Sequence, residues 1–211
     1  MNVRVAVALA ASGLTLVLVA VGIAGLVSRP AAPPVDVYRG SEPPAVIRMV
    51  DFLLRDENGE VVRASELKGK AVVLTFLDSQ CKETCPVVAG LVADGLDRLS
   101  TDLSASVAAV AISTDPGGDT AASRRAFLRR HGADGRLRYL SGSLATLEPV
   151  WKGFQILSSH ESGDDEVHSA PVRIYDPDGV WVSTLHAGVD LTPANLAYDL
   201  REALRHGKEP T

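Results

Sequence analysis

Cysteine is scarce in this chain: the 211 residues contain two, Cys81 and Cys85. A bridge between them would close a loop of only a few residues, so as a structural staple the pair contributes little. Methionine is as rare, at Met1 and Met49, which leaves no thioether cluster for a metal. Positive charge is also in deficit, with 21 Lys and Arg against 26 Asp and Glu and a formal net charge of −5. That balance argues against nucleic acid as a partner. The one basic cluster, Arg124, Arg125, Arg129 and Arg130, reads as the solvated face of a helix. Internal repeats are absent, and no low-complexity tract occurs beyond one proline-rich stretch near the start. What remains, 46% hydrophobic and 22% charged residues, is ordinary globular composition for one compact domain with an extension.

The extension is the N-terminal end. Val5 to Val27 form a run with no charged residue, long enough to cross a hydrocarbon core as a helix. A cleaved secretory signal competes with this reading, since Arg4 supplies a short positive start. The apolar run is longer than such signals usually carry, and no small-x-small cleavage site follows Val27 cleanly. The expectation is therefore a tip at residues 1–4, an uncleaved signal anchor over 5–27 and a proline-rich spacer over 28–45. A folded domain over 46–207 then lies on the extracytoplasmic side of the membrane. Pro30-Ala-Ala-Pro-Pro and Ser41-Glu-Pro-Pro make the spacer extended, because proline blocks helix and strand pairing.

Within the domain, Phe52 to Arg55 and Glu60 to Arg63 read as two strands around an Asn58-Gly59 turn. Ala71 to Leu77 is nearly all apolar, the signature of a strand buried on both faces, and Val107 to Ile112 is a second. Between them, Val87, Val88, Leu91, Val92, Leu96 and Leu99 keep helical spacing. A helix capped by Asp119 or Thr120 runs through Arg130 and stops at Gly132, with Ala126 and Phe127 inward. A short strand follows around Leu137 to Leu140. Pro149 sits in the first turn of the next helix, which carries Trp151 and Phe154 into the core. Pro171 to Tyr175 and Val180 to Thr184 make a hairpin around Asp176-Pro-Asp-Gly179, and Thr192-Pro193 opens a last helix that ends at Gly207. This order predicts an α/β, thioredoxin-like fold, a central β-sheet flanked by helices, with the cysteines between the first long strand and its helix.

The motif is Cys81-Lys-Glu-Thr-Cys85-Pro86. If it turns like the start of a helix, its two Cα atoms come within roughly 6 Å, close enough for a disulfide or for two thiolates on one soft metal ion. Pro86 fits the first helical position, where its missing N–H has no partner to lose. Cys85 then lies at the helix N-terminus, where the dipole is expected to lower its thiol pKa. Two thiolates alone make a redox pair, so a metal site needs a further ligand from His131, His160, His168, His186 or His206. His168 is singled out by position. It lies just before the hairpin strand that, in this fold, runs beside the cysteine loop.

The set Cys81-x-x-x-Cys85-Pro86, Asp115-Pro116 with Asp119-Thr120 after a strand, and His168-Ser169 eleven residues before Gly179 resembles the SCO (SenC) family over roughly residues 45 to 205. Those proteins are membrane-anchored, thioredoxin-like copper chaperones that help load copper into cytochrome oxidase. The resemblance implies that Cys81, Cys85 and His168 are copper ligands and that the acceptor is the copper-site subunit of cytochrome c oxidase or another copper or thiol partner. Two thiolates and an imidazole suit Cu(I) and tolerate Cu(II). Zinc is the less fitting metal, since a structural zinc site wants a fourth protein ligand and only His160 or an acid such as Asp164 offers one. Two departures keep a rival open. Lys82-Glu83 stands where the family commonly has Pro-Asp, and Ala170-Pro171 precedes its strand in the manner of the cis-proline of thioredoxins. The rival is an extracytoplasmic thiol-disulfide oxidoreductase in which Cys81 attacks and Cys85 resolves, with Pro171 docking the substrate. Against it, dedicated oxidoreductases of this fold usually carry Cys-x-x-Cys. A third reading is a redox or copper sensor. Asp115 and Asp119 are expected either to support the site or simply to form the turn that follows the second long strand.

Overall fold

The computed structural model describes residues 37–158 and 170–207. The expected anchor over 5–27 and the residues His160, Asp164 and His168 lie outside them. Among the described residues, no helix is long and apolar enough to cross a membrane.

The chain opens with a small antiparallel pair, β1 (Leu53–Arg55) and β2 (Val61–Arg63), in which Leu54 faces Val62 across the ladder. Its turn uses Gly59 at φ 87°, a left-handed conformation that an L side chain rarely adopts. After a 3-10 turn over Ala64–Leu67 comes β3 (Ala71–Leu77), every residue of which is buried. The period-two pattern shows why. Ala71, Val73 and Leu77 enter one core, and Val72, Leu74 and Phe76 enter the other. β4 (Val107–Ser113) pairs parallel to β3, and β5 (Arg138–Leu140) pairs parallel to β4. On the other side β6 (Val172–Tyr175) runs antiparallel to β3, with β7 (Trp181–Leu185) antiparallel beyond it. The sheet order is therefore β5-β4-β3-β6-β7, with β3 at the centre. The expected α/β sheet with flanking helices is what the chain forms.

Helices α1 (Thr84–Leu96), α3 (Ala121–Arg130) and α5 (Pro193–His206) contribute to the core that holds both cysteines. The brief α2 (Thr101–Ser104) precedes β4. On the opposite face, α4 (Leu144–Phe154) brings Leu147, Val150, Trp151 and Phe154 against Phe76, Ile112 and Tyr175. α1 and α5 meet closely at Gly95, where an added Cβ would lie 2.6 Å from Leu196 Cδ2.

Several local expectations shift. Thr120, not Asp119, caps α3, its side chain accepting from the Ser123 amide. That releases Asp119 for the interior, where it is buried. On α3 the inward residues are Phe127, Leu128 and Arg124, while Ala126 is only partly buried. Arg124 is therefore not on a solvated face. It is 6% exposed and donates to the carbonyl oxygens of Asp119, Arg55 and Tyr139. Its cation is held by carbonyl dipoles, which a pattern of apolar residues does not reveal. Pro149 lies inside α4, because Ser143 caps that helix by accepting from the Thr146 amide and so starts it upstream. Residues 37–45, within the expected spacer, already pack on the domain: Tyr38 is buried and Ser41 bridges to Thr184 of β7.

Candidate metal centre

The fully buried β3 ends at Leu77 and delivers the chain directly into the loop that carries Cys81. Asp78 is 0% exposed and organises that loop. Its carboxylate Oδ1 accepts from the Gln80 amide at 2.7 Å, and its carbonyl accepts from the Cys81 amide at 3.3 Å. Its own amide donates to Cys85 Sγ at 3.4 Å. The acid thus turns the chain so that Cys81 comes back over α1. Asp78 was not singled out in the sequence, although an acid directly after an apolar strand and three residues before a cysteine is the pattern to look for.

Helix α1 starts at Thr84 with Glu83 as its cap, so Cys85 occupies the second helical position and Pro86 the third. Pro86 is two positions further in than expected, yet still within the first turn, where its absent N–H forfeits no intrahelical bond. Both cysteines are thiols. Their side chains hydrogen-bond to each other, with Cys85 fully buried and Cys81 7% exposed. Among the described residues, no group of three metal-binding side chains comes together; His168 lies outside them.

The expected drop in the Cys85 pKa is overturned. The hydrogen bond with Cys81 and then burial push the Cys85 thiol well above its ordinary value, with only the Asp78 amide pulling down. The dipole is present, but a sulfur removed from water and paired with another thiol holds its proton more firmly than the dipole loosens it.

Asp115 forms a turn: Oδ1 accepts from the Gly117 amide at 3.0 Å and Oδ2 from the Gly118 amide at 2.8 Å. Asp119 reaches further. Its Oδ1 accepts from the Ser79 amide at 2.8 Å, and its Oδ2 from the Ser113 hydroxyl at 2.6 Å and the Tyr139 hydroxyl at 2.9 Å. Burial raises its pKa to about 6 against the pull of those donors. Pro171 stands just before β6 and lines the same cavity as Thr84 of the motif. No peptide bond among the described residues is cis, so the likeness of Ala170-Pro171 to the cis-proline of thioredoxins does not hold. His131 is packed against Phe127, and His186 lines the cavity with Thr84 and Pro171.

A vicinal dithiol at the carboxyl end of the central strand, half built into a helix start, defines a thiol-bearing protein of thioredoxin-like fold. The chain belongs to the SCO1/SenC family, whose model matches residues 41–205. It is similar to the copper-bound ScoI of Bradyrhizobium japonicum, at 30% identity and a TM-score of 0.64, covering 75% of this chain and 100% of that one. A second similar structure is BsSco, described as a member of the Sco family of cytochrome c oxidase assembly proteins that has a disulfide switch. It shares 20% identity at a TM-score of 0.65, over 77% of this chain and 96% of the other. An SCO2-like protein of Rickettsia conorii is 24% identical over 157 residues, 72% of this chain and 74% of its own length.

Proposed function

We propose that this protein is a membrane-anchored copper metallochaperone in which Cys81, Cys85 and His168 bind one copper ion, delivered to the copper-site subunit of cytochrome c oxidase. The observation that carries the reading is the pair itself: two buried thiols in mutual contact just beyond the end of the central strand, Cys81 the less completely enclosed. Soft sulfur donors select copper in its cuprous form, and an imidazole nitrogen beside them extends the site to Cu(II). Copper is the cargo here, so the site must release it as well as hold it. Cys81, the outer thiol, is the ligand an acceptor can displace first, while Cys85 anchors the ion from within. The N-terminus of α1 offsets part of the negative charge that two thiolates place on Cu(I). The copper-bound state of the Bradyrhizobium relative and the oxidase-assembly role stated for BsSco support the assignment. Residues 5–27 serve as the anchor in this reading, residues 28–45 as the spacer and residues 46–207 as the extracytoplasmic copper domain.

Copper transfer requires reduced sulfur, so oxidation of Cys81 and Cys85 to a disulfide switches binding off. The mutual hydrogen bond of the pair also favours a second reading, a thiol-disulfide oxidoreductase that prepares a partner's cysteines. Copper stoichiometry and affinity of the reduced chain separate the two. One tightly bound copper, lost in Cys81→Ser and Cys85→Ser and weakened strongly in His168→Ala, supports the chaperone. Absence of copper binding together with rapid exchange with a partner disulfide supports the oxidoreductase. Unchanged copper affinity in His168→Ala removes that residue from the site.

A further inference from the structure

Between β6, β7 and the segment entering the domain lies a cavity of about 580 Å³ that reaches the cysteine helix at Thr84. Glu42, Pro171, Arg173, Trp181 and His186 are among the residues that line it. Arg173 stacks on Trp181, its guanidinium carbon 4.4 Å from the ring centre. The indole is fixed in turn, since Trp181 Nε1 donates to the Ser183 carbonyl and the Thr184 hydroxyl, each at 2.9 Å. Arg173 Nε is buried and has no acceptor, and Arg173 enters none of the ion pairs among the described residues. The nearby carboxylate does not serve it: Glu42 Oε1 accepts from the amides of Val37 and Tyr38 at 3.0 and 3.4 Å. Among the described residues Arg173 is thus a planar, oriented cation in no ion pair, hydrogen-bonded to the Tyr175 side chain and stacked on an aromatic ring in a cavity that Pro171 also lines. That is the chemistry of a carboxylate clamp with apolar walls.

We propose that this cavity docks an acidic segment of a partner protein, one carboxylate of the segment pairing with Arg173 while its apolar neighbours rest on Trp181 and Pro171. Charge complementarity selects the acidic side chain, and the size and apolar lining of the cavity select a peptide over a lone carboxylate ion. Because Thr84 directly precedes Cys85, a segment seated here lies next to the thiol pair. The docking itself is independent of whether those thiols carry copper.

The test uses the full chain with two labelled peptides, acetyl-Leu-Glu-Glu-Leu-Glu-amide and its counterpart with glutamine at each glutamate, followed by fluorescence anisotropy at low salt. The acidic peptide is expected to bind about tenfold more tightly or better, as a charge-assisted contact implies. Arg173→Gln should erase that preference. Arg173→Lys, which keeps the charge without the fork, should restore only part of it. A Cys81→Ser background should leave the preference intact, so failure of the copper assignment would not be read as failure of the docking. Equal affinity for the two peptides overturns the proposal, as does an undiminished preference in Arg173→Gln. Competition by free acetate at the concentration at which the peptide itself binds overturns the choice of a peptide.

Discussion

The Ser79 amide donates to Asp119 Oδ1 across 2.8 Å, tying the loop that leads into Cys81 to the turn that follows β4. The other oxygen of the same carboxylate accepts from Ser113 at the end of β4 and from Tyr139 on β5. One buried side chain therefore holds two neighbouring strands, β4 and β5, to the entry of the cysteine motif.

The titration of Asp119 follows from that placement. Burial raises its pKa to about 6 from the ordinary 3.8, with the charge of Asp78 adding to the rise and the hydrogen bonds of Ser113 and Ser79 opposing it. The folded chain therefore keeps a proton that the unfolded chain releases. This contribution is fully present below pH 3.8 and is lost as pH rises through 6, a span worth roughly 3 kcal/mol. Asp119→Asn cannot titrate. Urea unfolding of both proteins at pH 4.5 and pH 7 should show the natural chain losing about 2 kcal/mol of stability relative to the variant, the part of that span lying between the two pH values. A difference that stays constant across the two pH values would contradict the raised pKa.

Arg124 separates from its neighbours in sequence. It is buried and supplies donors to three carbonyl oxygens from separate segments, whereas Arg129 and Arg130 are exposed. Arg124→Ala should cost about 3 kcal/mol, because three buried acceptors lose their donor together. Arg129→Ala should fall within about 0.5 kcal/mol of the natural chain. Denaturant midpoints of the two variants, measured side by side, decide this, and equal midpoints would return Arg124 to the surface.

The two thiols should differ in reactivity. Cys85 is fully buried with its pKa raised, whereas Cys81 keeps 7% of its surface exposed. Brief iodoacetamide treatment of the reduced chain at pH 7.5 should modify Cys81 about tenfold faster or more, since the raised pKa and complete burial of Cys85 both hold its sulfur back. Peptide mass spectrometry reads the two sites separately. Faster labelling of Cys85 would mean that the helix dipole outweighs burial after all.

How far the sequence carried depends on which interactions are local. The nearly all-apolar β3, the Asn58-Gly59 turn and the caps Thr120 and Thr192 are written in neighbouring residues, and the structure follows them. The cysteine pair was legible for the same reason, since four residues of spacing bring its members together. Arg124 was misread because its partners come from Asp119, Arg55 and Tyr139, and two of these are distant in sequence. The pKa of Cys85 was misread because the dipole is a property of the helix, while burial is a property of the assembled core. Pro149 misled by rule: proline often begins a helix, but a serine cap six residues earlier decided where this one starts.

Asp199 on α5 is 0% exposed, and its two oxygens accept from the amides of Arg39 at 2.7 Å and Gly40 at 3.0 Å and from the Ser183 hydroxyl at 2.6 Å. This carboxylate pins the entering segment to both α5 and β7. Gly40 must be a glycine for the segment to come so close, since a Cβ there would lie 2.4 Å from Ser183 Oγ and 2.5 Å from the Thr184 carbonyl oxygen. The clash is with backbone, which cannot swing aside as a side chain can. Gly40→Ala should therefore lift the segment from β7, leaving Asp199 buried without its amide donors, and cost about 2 kcal/mol or more. Released from the sheet, residues 37–44 should become the first site of limited proteolysis. Because Ser41 to Pro44 also line the cavity that holds Arg173, the same variant should weaken binding of an acidic peptide there. An unchanged melting temperature with unchanged cleavage would show that the segment is not held by this contact, and the fold would then begin later, near Val46.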